Sequence, residues 1–178
     1  MREYKLIAHR GSHKNAKENS LFSFFNAINE NYYGFECDVR GTKDKKFYIY
    51  HDMLYDGKLF KSFNSNKIIL LEIKDPFIDI DNLVKTLIKY ESKNIYVMSF
   101  YNTVIDKLNI KNKTYKVGIL NYVLNTTEKH FKYDFICILR PLLNDKIIEF
   151  VKKNNKELFV YGNYNNNFKY DFPYYIVD

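Results

Sequence analysis

The chain switches repeatedly between short, almost continuous apolar runs and stretches in which apolar residues recur every three or four positions. Residues 4–9 (YKLIAH), 35–40, 67–74 (KIILLEIK), 94–100 (NIYVMSF), 115–120, 133–139 (YDFICIL), 158–161 and 174–177 each read as a buried strand. After the first run, Leu21, Phe24, Phe25 and Ile28 fall at i, i+3, i+4 and i+7, the stripe of an amphipathic helix, with Asn19 and Ser20 offering the N-cap and Gly34 the stop. Three further helices are predicted. One carries Leu83, Val84, Leu87 and Ile88 behind a cap at Asp81, a short one carries Val104, Ile105 and Leu108, and one capped by Asn144 carries Ile147, Ile148 and Val151. Residues 53–67 read as a polar connection, the segment leading to Lys132 as helix or loop, and residues 163–173 as almost free of helix.

Near-continuous apolar strands alternating with helices are the mark of a parallel sheet covered by helices. The strands start near residues 4, 35, 67, 94, 115, 133, 158 and 174, and eight is the number that closes a (β/α)8 TIM barrel, whose functional residues sit at the carboxyl ends of the strands. The expectation is one compact α/β domain over residues 1–178 with some short or missing helices, because such barrels usually need about 200 residues or more. An open doubly wound sheet is the alternative. No internal repeat or linker interrupts the chain.

The chemistry concentrates in residues 34–52 (GFECDVRGTKDKKFYIYHD). Residues two apart in a strand share a face, so Glu36 and Asp38 converge on one point while Cys37 and Val39 turn the other way. Ionised carboxylates on a buried face need a metal or a basic partner, and a divalent cation is held by such a pair. His51-Asp52 closes the following run. His9, Arg10, Glu72, Lys74 and Arg140 also lie at run ends, where a barrel places its functional groups. In a chain that defaults to lysine, an arginine at such a position suggests a bidentate fork against carboxylate or phosphate, so Arg140 is a candidate to grip a substrate. Arg40 shares the parity of Glu36 and Asp38 and equally suits an outer salt bridge. Lys74 could pair with Glu72 or neutralise a phosphate, and Asn19 could serve the site or only the helix cap. His13 and His130 lie in polar loops and receive no role, and the many Tyr and Phe read as core and surface filler.

Composition changes this picture little. Net charge is +7 and the isoelectric point is near 9.1, but the lysines are spread along the whole chain and no nucleic-acid-binding pattern accompanies them. Nucleic acid is therefore not an expected partner. Cys37 and Cys137 each lie inside an apolar run, as buried free thiols do. No run approaches the roughly 20 apolar residues of a membrane span. A cytoplasmic setting without stable membrane insertion is the resulting expectation.

The segments I-A-H-R-G (7–11), K-E-N-S (17–20), G-F-E-C-D-V-R-G-T-K-D (34–44) and Y-H-D (50–52), in this order, resemble the signature of the glycerophosphodiester phosphodiesterase family. The 27-residue interval from His9 to Glu36 and the 13-residue interval from Asp38 to His51 match that family's spacing. L-E-I-K at 71–74 is similar to its next strand, and Ser99-Phe100 and Val177-Asp178 look like later barrel landmarks. Lys17 replaces the proline of the family's second segment, and Tyr161 stands where its seventh strand commonly carries tryptophan. The family usually carries a sizeable insertion that helps shape the alcohol side of the pocket, yet His51 and Glu72 are here only 21 apart.

The resemblance implies a TIM barrel acting as a phosphoric diester hydrolase on a small-molecule substrate, in lipid metabolism. His9 and His51 would be the general acid and base, Glu36, Asp38 and Glu72 the ligands of Ca²⁺ or Mg²⁺, and Arg10 and Lys74 the groups that neutralise phosphoryl oxygens. The products would be glycerol phosphate and an alcohol. The shortened segment allows a bulkier lysophospholipid or glycerophosphate-polymer substrate as an alternative, and a catalytically idle barrel that binds phosphate esters is a third reading.

Overall fold

A computed structural model describes residues 4–52, 58–59, 65–89, 94–111, 114–122, 132–162 and 168–178. Each apolar run forms its strand: β1 (Lys5–Ala8), β2 (Gly34–Gly41), β5 (Ile68–Ile73), β6 (Ile95–Ser99), β7 (Lys116–Asn121), β8 (Phe135–Leu139), β9 (Glu157–Tyr161) and β10 (Tyr174–Val177). All eight are parallel to their neighbours, and the ring closes because β1 pairs with both β2 and β10. The expected closed barrel is therefore observed, and the open sheet is not. Two short antiparallel strands, β3 (Phe47–Ile49) and β4 (Lys58–Leu59), extend from β2 as a hairpin. β4 lies within the segment expected to be only a polar connection.

Parity divides the core in two. Ile7, Leu70, Met98, Leu120, Cys137, Phe159 and Ile176 point into the barrel, whereas Phe35, Cys37, Val39, Ile69, Leu71 and Val97 pack outward against the helices. Four helices are present among the described residues: α1 (Leu21–Asn29), α2 (Ile80–Ile88), α3 (Asn102–Asn109) and α4 (Asp145–Lys153), following β1, β5, β6 and β8. Between β2 and β5 the described residues form the β3/β4 hairpin and no helix. Most of the doubtful segment before Lys132 lies outside the described residues, and residues 168–173 contain no helix.

The caps differ in part from expectation. Ser20, not Asn19, caps α1, in a reciprocal box with Ser23. Asp79 caps α2 through the Asn82 amide, and Asp81 lies inside the first turn, where a negative charge still favours the helix dipole. Asn144 caps α4 as expected. No described helix is long and apolar enough to cross a membrane.

Below the inner core, Lys116 Nζ donates to Glu157 Oε2 (2.6 Å) and to the Tyr96 hydroxyl (2.8 Å), satisfying inward polar groups at the amino-terminal end of the barrel. Burial raises the Tyr96 phenol to about 12 against the pull of Lys116, so it stays a hydroxyl. The interior has little spare room. A Cβ on Gly118 would lie 2.4 Å from the Phe135 ring, so the missing side chain on β7 is the space that Phe135 fills. Gly118→Ala is expected to overpack this layer at a cost of about 1–3 kcal/mol. At about 2–4 °C per kcal/mol for a chain of this size, the melting temperature should fall by several degrees. An unchanged melting curve would show that Phe135 can move aside.

Candidate active site

The alternation that sends Ile7, Leu70 and Ile176 into the barrel also sends in the next residues of the same parity, at the carboxyl ends of the strands. β1 thus delivers His9, β2 delivers Glu36 and Asp38, and β5 delivers Glu72 and Lys74. The β2–β5 register sets Asp38 directly beside Glu72. One carboxylate oxygen from each of Glu36, Asp38 and Glu72 lies within 4.8 Å of the others, and all three residues are buried.

Two cations run through this cluster. Lys74 Nζ stands 2.6 Å from Glu72 Oε1 and 3.1 Å from Asp38 Oδ1, so it pairs with both acids. Arg10 Nε lies 3.3 Å from Asp38 Oδ2, while its Nη1 donates to Glu18 Oε1 at 2.8 Å. The Arg10 backbone N–H donates to Glu36 Oε2 at 3.0 Å. Asn19 holds Asp38 from both ends of its amide: Nδ2 donates to Oδ2 (2.8 Å) and Oδ1 accepts from the Asp38 N–H (3.1 Å). Arg10 and Asn19 are both left-handed, with φ near 52°, an uncommon conformation outside glycine that the surrounding contacts impose.

The electrostatics follow from burial. Removal from water pushes the Glu36 carboxyl well above its usual range, and Asp38 and Glu72 add to the rise. Burial also raises Glu72, although Lys74 pulls the other way. For the Lys74 ammonium, burial opposes the charge, but Asp38 and Glu72 outweigh it and its pKa rises. Three carboxylates therefore face two cations, and Glu36 Oε1 is buried with no hydrogen-bond partner among the described residues. A hard divalent cation matches both features, because it takes oxygen ligands and supplies the missing positive charge. The acidic triad could hold such an ion. Burial also pushes the Cys37 and Cys137 thiols well up, leaving them unreactive.

Both rim histidines carry a carboxylate on Nδ1, His51 through Asp52 (2.8 Å) and His9 through Asp178 (2.6 Å). His9 Nε2 lies 4.0 Å from Glu36 Oε2, and the charge of His51 acts on Glu72, so both rings border the acidic cluster. Arg40 takes the outer role. Its Nε and Nη2 donate to the His51 carbonyl at 3.0 and 2.7 Å, and its Nη1 donates to Asp75 Oδ1 at 2.7 Å. Arg140 is not brought into the group: it opens a 3-10 turn (Arg140–Leu142) after β8 and acts on the Tyr175 phenol of the outer core. His13 Nδ1 contacts the Gly11 carbonyl, and His130 lies outside the described residues.

Opposite the acids, Phe100, Tyr122 and Tyr161 form an aromatic wall, with Phe100 and Tyr122 stacked at 4.4 Å. These rings, His9, Glu36, Glu72 and Lys74 enclose a cavity of about 180 Å³, floored by Met98, Leu120 and Ile176. Phe100 and Tyr122 thus have a place at the site that a reading of aromatics as filler overlooks. Strand parity was the signal that would have found them, since both continue the inward series of their strands. A wider depression of about 840 Å³ begins at Lys74 and extends past Arg40, Lys43 and Lys45 to the fully exposed Phe77.

The chain thus forms a closed eight-stranded parallel barrel with a buried carboxylate triad and two histidines at its rim. Residues 9–67 match the model of the glycerophosphoryl diester phosphodiesterase family, whose members are phosphoric diester hydrolases, and this bears out the family resemblance. The fold agrees along nearly the whole chain. A glycerophosphodiester phosphodiesterase from Thermotoga maritima superposes with a TM-score of 0.74 at 22% identity, covering 99% of this chain and 95% of its own. One from Agrobacterium tumefaciens gives 0.74 at 17% identity, covering 98% and 94%. An Oleispira antarctica phosphodiesterase in complex with the product sn-glycerol-3-phosphate gives 0.72 at 16% identity, covering 88% and 83%. No curated protein sequence matches the chain significantly.

Because the Glu36 pKa is raised in the folded state, the folded protein keeps that proton longer than the unfolded chain. The stability Glu36 contributes is therefore greatest below the ordinary carboxyl value of 4.5 and is lost as pH rises through the raised folded value. In chelator at pH 7, Glu36→Gln is expected to melt no lower than the unsubstituted protein, and this relative advantage should shrink toward about pH 4.5. Adding a divalent cation should raise the melting temperature of the unsubstituted protein and have less effect on the variant. A variant several degrees less stable in chelator at pH 7 would contradict this account.

Proposed function

We propose that the protein is a metal-dependent phosphodiesterase that hydrolyses glycerophosphodiesters to glycerol phosphate and an alcohol. The observation that carries this reading is the buried Glu36, Asp38 and Glu72 cluster, incompletely neutralised and flanked at the mouth by His9 and His51. Ca²⁺ or Mg²⁺ suits the all-oxygen set, and when bound it would neutralise charge on the phosphoryl group. Arg10 and Lys74 stand in the same cluster and supply further positive charge as negative charge builds on the non-bridging oxygens. An imidazole with an ordinary pKa near 6.5 can be neutral or protonated close to pH 7, so one ring can accept a proton while the other donates.

The step this supports is attack by the glycerol hydroxyl beside the phosphate on phosphorus. One histidine takes the hydroxyl proton and the other protonates the departing alcohol oxygen, leaving a cyclic phosphate. Water then opens the ring with the proton transfers reversed. The 180 Å³ cavity suits a glycerol phosphate moiety, with its carbon face against Phe100, Tyr122 and Tyr161. Asn19 would act through Asp38 and not by contact with substrate. Arg140 would reach a substrate only if that substrate extends beyond this cavity. A cytoplasmic role in lipid metabolism, without a nucleic-acid partner, is the setting proposed.

The wide depression beyond Lys74 favours a second reading, in which the leaving alcohol is bulky, as in a lysophospholipid or a glycerophosphate polymer. Purified protein with Mg²⁺ or Ca²⁺ is expected to release glycerol phosphate from at least one of glycerophosphocholine, glycerophosphoethanolamine, a lysophospholipid or a glycerophosphate polymer, and to stop on chelation. Which substrate has the highest kcat/KM decides between the two readings, and no metal-dependent product from any of them would refute both. His9→Ala and His51→Ala should each lower kcat by on the order of 10²–10⁴ without unfolding the chain.

A further inference from the structure

We propose that Asp178 is a positioning residue for His9, holding the ring with its proton on Nδ1 so that Nε2 faces the acidic cluster. The barrel closure builds this pair. In the β1–β10 register Ala8 lies opposite Val177, and the His9 backbone N–H donates to the Val177 carbonyl at 2.8 Å. His9 and Asp178 are the next residues along the two strands and share the inward parity. They are 169 positions apart in the chain, yet Asp178 Oδ1 reaches His9 Nδ1 at 2.6 Å.

A carboxylate only accepts hydrogen bonds, so the nitrogen it touches must carry the proton. In the neutral ring the other nitrogen, Nε2, then presents a lone pair. Nε2 points to Glu36 Oε2, 4.0 Å away, a separation too long for a hydrogen bond. His9 is therefore oriented by Asp178 from behind and left available on its inner side. The pair is about one-third exposed on the His9 side and 63% exposed on the Asp178 side, so its contribution to folding stability is small and its effect falls on ring geometry. The tautomer stands on this geometry alone, and its catalytic consequence rests on the acid–base role proposed for His9.

The test combines a spectroscopic and a kinetic readout. Long-range ¹H–¹⁵N correlation of the imidazoles is recorded on metal-free ¹⁵N-labelled protein about two units above the ordinary histidine pKa. Loss of signals in His9→Ala assigns the ring. The unsubstituted protein is expected to show His9 protonated on Nδ1 and bare on Nε2, Asp178→Ala to lose this preference, and Asp178→Glu to restore it. An Nε2–H form in the unsubstituted protein, or a His9 pattern unchanged in Asp178→Ala, would overturn the proposal. In the assay above, Asp178→Ala should lower kcat by on the order of 10- to 100-fold with KM little changed. An unchanged kcat would overturn the catalytic consequence. If the unsubstituted protein cleaves none of the diesters, the proposed function fails while the spectra still decide the tautomer.

Discussion

The structure depends on the cost of gathering three carboxylates out of water at one point. Like charges within 4.8 Å of one another repel, and burial removes the solvent that would screen them. Lys74 and Arg10 offset part of that cost, the Asn19 amide and the Arg10 backbone N–H satisfy individual oxygens, and one oxygen of Glu36 is left over. A cluster so arranged is poorly explained by stability, because apolar side chains of similar volume would pack at less cost. A cation, which the triad could hold, would offset that cost. The left-handed backbone at Arg10 and Asn19 fits the same view, since strain at those positions aims groups at the acids.

The barrel meets this demand with little material. Strand parity separates an inner from an outer core, and the inner series ends at the carboxyl edge in polar residues. Everything polar on β1, β2 and β5 therefore arrives at one mouth. The interior is close-packed, and the empty side-chain position at Gly118 makes room for Phe135. The β3/β4 hairpin brings His51 back over the mouth, where Arg40, itself held by Asp75, donates to its carbonyl. The wide depression lies beside this anchor.

Much of the site was legible in the chain because it obeys local rules. Glu36 and Asp38 share a face through the two-residue period of a strand, and His9, Glu72 and Lys74 sit where apolar runs stop. What escaped that reading has a common physical cause. The Asp81 cap was displaced to Asp79 because cap choice depends on where the backbone leaves the helix, which neighbouring polar residues satisfy almost equally well. Arg40 could be assigned to neither side of its strand until Asp75 and the His51 carbonyl were seen beside it. Phe100 and Tyr122 follow the inward parity of their strands, but only the cavity shows that their rings line the site and do not fill the core.

The sequence by itself determined the eight strands, their order, the inward parity and the chemical identity of the acids and histidines, since each is encoded within a few neighbouring residues. Only the tertiary structure decided which strands meet. Closure of β10 onto β1 places Asp178 against His9, and the β2–β5 register places Glu72 against Asp38. These pairings join residues separated by 169 and 34 positions. No local period links such distant residues, and they become neighbours only when burial of both faces of the sheet forces it to close.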